Sequence, residues 1–158
     1  MDNAEIAWHA TFAKNLFNHS WDLLEKPDRT DLENHELLHA AFASRYHWGV
    51  VGTEENWVLG DAHISRVAAH LNQPALALHY ATRALDATLA HGWRDYRLAS
   101  AYETMARAQS AAGNTAERDR CLALARGALA LIEDPEDLRI ITEQIDSVPY
   151  TKATPEST

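Results

Sequence analysis

Cysteine is nearly missing from this chain. Cys121 stands alone among 158 residues, so no internal disulfide framework exists. Long apolar runs are missing too. No stretch of about 18 apolar residues occurs, and the start, Met1-Asp2-Asn3-Ala4-Glu5, has no basic leader pattern. The expectation is a cytoplasmic chain with no membrane span and no secretory leader. Positive charge is scarce: 14 Lys and Arg stand against 23 Asp and Glu, a formal charge of −9. That argues against a nucleic-acid partner, because phosphate contacts need clustered cations. No glycine-rich phosphate loop occurs, and Gly49-Val50-Val51-Gly52 reads as a turn. Strand signals are almost absent, since no segment alternates apolar and polar residues for long.

What the chain does have is Ala, Leu, Glu and Arg, which favour helix. The few prolines and glycines punctuate it into seven expected helices. The first runs from Asn3 to Glu25 and stops at Lys26-Pro27-Asp28, because proline cannot continue a helix. Thr30 and Glu33 form a capping box for the second, which runs to Trp48. Thr53 caps a third helix, to about Leu71. Pro74 occupies the first position of a fourth, which stops at His91-Gly92. The fifth spans about Asp95 to Ala112. Asn114 with Glu117 reads as a capping box for the sixth, and Asp134-Pro135 starts a seventh that ends near Ser147. The expected organisation is one helical domain over residues 1–148 and a disordered polar tail over 149–158. The turn Leu71-Asn72-Gln73-Pro74 repeats as Ala112-Gly113-Asn114-Thr115, about 41 residues on. Arg66 then matches Arg107, and Ala84 matches Ala125. Helix pairs at such a period indicate an all-α fold built as a solenoid or helical bundle.

Histidine is over-represented, with nine in the chain. At about 100° per residue, His35 and His39 share a stripe with Leu32, Leu38, Phe42 and Tyr46. His19 shares one with Trp8, Phe12, Leu16 and Leu23, and Asp61 falls among Trp57, Gly60, Ile64 and Ala68. These four ionisable groups are therefore expected to point inward, whereas His63, His70, His79 and His91 read as peripheral. His35-Glu36-Leu37-Leu38-His39 is an H-E-x-x-H arrangement, which sets two imidazoles one turn apart for a metal such as zinc. His19 or Asp61 would complete the ligand set, and Glu36 or His47 would act as general base toward metal-bound water. Under the alternative reading, the same histidines satisfy hydrogen bonds in the core.

Asn18-His19-Ser20-Trp21-Asp22-Leu23-Leu24, His39 through Trp48, Val51-Gly52-Thr53 and Ile64-Ser65-Arg66-Val67 together resemble a group of uncharacterised bacterial tetratricopeptide-like proteins. The resemblance covers about Asn15 to Gly113. It implies a helical-repeat fold and marks His39, Ser44, Arg45, His47, Trp48, Ser65 and Arg66 as motif positions. The group carries a histidine where this chain has Phe42; were that histidine a metal ligand, this chain would lack it, which weighs against carrying a metal role over from the resemblance.

Two functions of different kinds follow. One is a small metalloprotein, leaning toward a metal-dependent enzyme, with His19, His35, His39 and Asp61 around a divalent cation and a small molecule in the cavity. The other is a binding module that holds a peptide in a groove of helices three to six. A homodimer is compatible with either. Arg66, Arg83, Arg94, Arg97 and Arg107 would line a groove for an acidic ligand, or form a solvated face. Ser44, Ser65 and Ser100 lack a nucleophile elbow and read as helix-packing residues. Cys121, among Leu122, Leu124 and Ala125, reads as a buried thiol.

Overall fold

The computed structural model describes residues 1–150, and within them all regular structure is helical. Seven α-helices follow in order: α1 (Asn3–Glu25), α2 (Asp31–Val51), α3 (Glu54–His70), α4 (Pro74–Ala90), α5 (Tyr96–Ala111), α6 (Thr115–Ala128) and α7 (Pro135–Asp146). A short 3₁₀ turn, Leu129–Leu131, extends α6. Consecutive helices pack as neighbours, in the pairs α1/α2, α3/α4 and α5/α6, with α5 also against α3 and α7. No described helix is long and apolar enough to cross a membrane.

The boundaries follow local chemistry. Asp2 with Glu5, and Thr30 with Glu33, close reciprocal capping boxes at α1 and α2. Asp134 accepts from the amides of Glu136 and Asp137 ahead of α7. The 41-residue repeat is a repeated turn. Asn72 and Gly113 both take the left-handed conformation, at φ 54° and 76°. Behind them, Gln73 N donates to Ala68 O and Asn114 N to Gln109 O, each at 2.9 Å. That closure satisfies a carbonyl the helix end would leave open. The expected Asn114/Glu117 box does not form. The Asn114 side chain donates instead to Gln109, and Glu117 binds Arg120.

Small residues set the spacing between helices. Ala77, Ala81, Ala99, Ala106, Ala108 and Ala125 are fully buried around Cys121, Leu122 and Ile141. Ser44 Oγ donates to Ala13 O, tying α2 to α1, and Ser65 Oγ donates to Ala77 O, tying α3 to α4, both at 2.8 Å. These serines are packing residues with satisfied hydroxyls. A leucine in place of Ala77 is expected to force α3 and α4 apart and cost about 1–3 kcal/mol. A urea midpoint unchanged from the native chain would show instead that this seam has slack.

One expectation about the chain's end is corrected in part. The tail expected to be disordered begins docked: Pro149 O accepts from Ser110 Oγ, and the Arg118 guanidinium lies 4.6 Å from the Tyr150 ring centre. The rest of that expected tail, 151–158, lies outside the described residues. The buried reading of Cys121 holds, and burial pushes its thiol up to about 11.

Candidate functional groove

The histidines do not gather where helical periodicity put them. The buried face of α2 is Leu37, Ala40, Ala41 and Ser44, whereas Leu32 and Tyr46 are 75% and 66% exposed. That face lies roughly 170° round from the expected stripe. The reason is steric. Close approach to α1 and α3 selects the alanine and serine face, and the bulkier stripe is left to the flank, where Phe42 meets Tyr80 edge-on and Leu38 packs against the edge of the core. His35, Glu36 and His39 are consequently exposed.

His19 sits at the α1/α2 seam and donates to Glu36 Oε1 at 2.7 Å, which occupies the carboxylate expected to act as a base. Asp61 does point inward, but Arg45 at 2.7 Å and Arg83 at 3.1 Å hold its two oxygens. His47 lies about 16 Å along α2 from Glu36 and meets His9 instead. Among the described residues, no three His, Cys, Asp or Glu side chains come together as a metal-binding group. The expected arginine groove for an acidic ligand is also neutralised from within. Arg66 and Arg107 bind Glu103, Arg83 binds Asp61, and Arg97 binds Asp95 and Glu55.

A different site assembles on the opposite side of the pairs. Each odd-numbered helix turns one stripe at three- and four-residue spacing toward a common groove. From α1 come Lys14, Phe17, Asn18 and Trp21, and from α3 Asn56, Leu59, Gly60 and His63. Tyr96, Ser100 and Thr104 come from α5, and Asp137, Ile140, Ile141 and Gln144 from α7. Two hollows of about 310 and 180 Å³ adjoin at Phe17 and Leu59. Trp48 closes the outer end of the larger one. Its position is held by Trp57, whose indole N–H donates to Trp48 O at 2.8 Å.

A buried polar cluster underlies the groove. Glu103 is fully buried on α5 and accepts from Arg66 on α3 at 2.7 Å and from Arg107 at 2.8 Å. Arg107 also donates to Gln144 O and Ser147 Oγ, which anchors the end of α7. The Arg66 guanidinium lies 5.5 Å from the Trp21 ring centre, so one cation braces both the carboxylate and an aromatic wall. Burial lowers the Arg66 pKa, with Glu103 opposing the shift.

His63 is the feature that helical periodicity misplaced. It is 4% exposed, clasped between Phe17 and Trp21 with ring centres 4.8 and 4.9 Å away. Its Nε2 lies 2.5 Å from Ser20 Oγ, which also donates to Phe17 O at 2.8 Å. A hydroxyl has one hydrogen, so Nε2 carries the proton and donates to Ser20. Nδ1 is left as a buried acceptor with no partner. Burial pushes the imidazole down to about 3, and the positive charge of Arg66 and His70 acts in the same direction, so the ring is neutral near pH 7.

Ser20 and Glu103 were not singled out in the sequence, and His63 was read as peripheral, because each sits beside residues that read as an ordinary helix face. The available signal was His63 between Leu59 and Val67 with Phe17 and Trp21 one turn apart on α1, a pairing visible once α1 and α3 are set side by side. Compared with known proteins, the chain matches no family model, no curated protein and no solved structure.

Proposed function

We propose that this chain is a non-catalytic, tetratricopeptide-like binding module that holds an extended, largely uncharged peptide segment in the groove of α1, α3, α5 and α7. The observation that carries this reading is the convergence of four helical stripes on one continuous surface with aromatic walls. The repeated turn and paired helices support the tetratricopeptide-like classification.

The lining suits a peptide. Phe17, Trp21, Leu59, Tyr96 and Ile140 offer apolar contact, while Asn18, Asn56, Ser100, Thr104 and Gln144 offer donors and acceptors that match a peptide backbone. The charges at the lining are Lys14, Arg66 and Asp137, and Arg66 is already paired with Glu103. Such a surface favours neither a polyanion nor a strongly charged chain. The dispersal of His19, His35, His39 and Asp61 leaves the metalloenzyme reading without an assembled centre.

The test is selection of peptides from a random library on the full chain, followed by titration of the selected sequences. Trp21→Ala is expected to weaken binding by about tenfold or more, as for a buried aromatic anchor. Arg139→Ala, on the exposed side of α7, is expected to leave it unchanged. Selected peptides whose amide shift changes map to α2 and α6, and whose affinity ignores Trp21→Ala, would sink the reading.

A further inference from the structure

At the N-terminal pair, outside the groove, two histidines meet across the α1/α2 seam. His9 on α1 and His47 on α2 face one another with Nδ1 atoms 2.8 Å apart and ring centres 4.9 Å apart. Aromatic neighbours hold the rings in place. Phe12 stacks on His47 at 5.5 Å, and Tyr46 meets the His47 and His9 rings at 5.4 and 6.4 Å. Both imidazoles are partly exposed, so an ion from solvent has access. Desolvation, and then the neighbouring His9, lower the His47 pKa, which keeps its lone pair available near neutral pH.

We propose that His9 and His47 form a two-histidine site for a divalent transition metal of tetragonal geometry, copper(II) above all, bound through both Nδ1 atoms with solvent completing the shell. The separation selects the geometry. With metal–nitrogen bonds of about 2.0–2.1 Å, a 2.8 Å gap subtends about 85° at the metal, close to the cis angle of a square-planar or octahedral ion. A tetrahedral ion needs about 3.3 Å and would have to part the helices. Copper(II) has that angular preference and stands highest in the affinity order for imidazole sites. In the free protein one Nδ1–H donates to the other Nδ1. On binding, the donor ring moves its hydrogen to Nε2, so both Nδ1 lone pairs face the metal and no net proton is released.

The exposed His35 and His39, one turn apart on α2, are a rival pair for the same ion. The experiment therefore starts from the full chain with His35→Ala and His39→Ala. Copper(II) is titrated by calorimetry and by Trp fluorescence, since Trp8 adjoins His9 in sequence and packs edge-on to Phe12. One equivalent is expected to bind, with nitrogen couplings from two imidazoles in the paramagnetic resonance spectrum. Adding His9→Gln or His47→Gln is expected to weaken it by more than about tenfold, since loss of a ligand exceeds loss of a supporting partner. Glutamine keeps a polar group at the seam, and unchanged helicity by circular dichroism confirms that each variant folds. Absence of stoichiometric copper in the starting variant, or affinity unmoved by either glutamine, would overturn the site.

Discussion

Glu103→Ala is expected to destabilise the chain by about 3–5 kcal/mol, the largest effect of any single substitution considered. The carboxylate is fully buried and balances two guanidiniums that are themselves almost buried, Arg66 and Arg107. Removing it leaves two positive charges facing each other in a dry interior, which costs more than the ion pairs contribute. For a domain of this size the melting temperature should fall by roughly 10 °C. The damage should also have a direction. Arg107 holds Gln144 O and Ser147 Oγ, so its release should loosen the end of α7 first. Hydrogen exchange is expected to speed up over α7 before it does over α1 and α2. Melting within 2 °C of the native chain, with α7 still protected, would mean that the two arginines find other partners.

Acid is expected to unfold the native chain partly through His63. Its folded value of about 3 lies below the ordinary 6.5, so the unfolded chain binds a proton there that the folded chain refuses. Its contribution is fully present above 6.5 and is lost as the pH falls toward 3. The slope is about 1.4 kcal/mol per pH unit, or about 5 kcal/mol across the window. The ring is almost wholly buried, so little screening reduces this. His63→Met should be less stable at pH 7, because Ser20 and the aromatic clasp lose a fitted partner, yet its stability should fall less between pH 6.5 and 4. Urea unfolding at several pH values measures the difference in slope, which cancels the carboxylates common to both chains. Parallel slopes would show that protonation of His63 is absorbed by solvent entering the groove.

The His63 result bears on function as well as stability. The same neutral ring, with an unpartnered Nδ1, lines the proposed peptide groove between Phe17 and Trp21. Protonation would place a positive charge beside Arg66, so a peptide seated there should be released as the pH falls. Binding and folding are thus coupled at one residue, and the Trp21→Ala titration at neutral pH separates the two.

Helix identity and extent were legible in the amino-acid order. Pro27, Pro74 and Pro135, the box at Thr30, the cap at Asp134, and the left-handed Asn72 and Gly113 act within about four residues, a range a linear reading captures. The 41-residue correspondence was visible for the same reason, and it proved to be one turn geometry used at least three times, at Asn72, Gly92 and Gly113. Even so, Asn114 shows the limit of such reasoning. A competing acceptor on Gln109 took the side chain that a capping box required.

The inward faces were not legible, because burial depends on what lies across the seam. In α2, hydrophobic periodicity favoured the stripe of Leu32, His35, His39 and Tyr46, but close packing against α1 and α3 chose Leu37, Ala40, Ala41 and Ser44. That single rotation exposed His35 and His39, gave Glu36 to His19, and dissolved the expected metal centre. In α3 the helix is surrounded on nearly every side, so His63 and Arg66 are buried whatever stripe they occupy. Composition and local order thus settle that this chain is helical, where its helices stop and how its turns repeat. The groove, the Glu103 cluster and the His9–His47 contact exist because residues 37 to 43 positions apart are brought within hydrogen-bond distance, and steric fit between helices governs that approach.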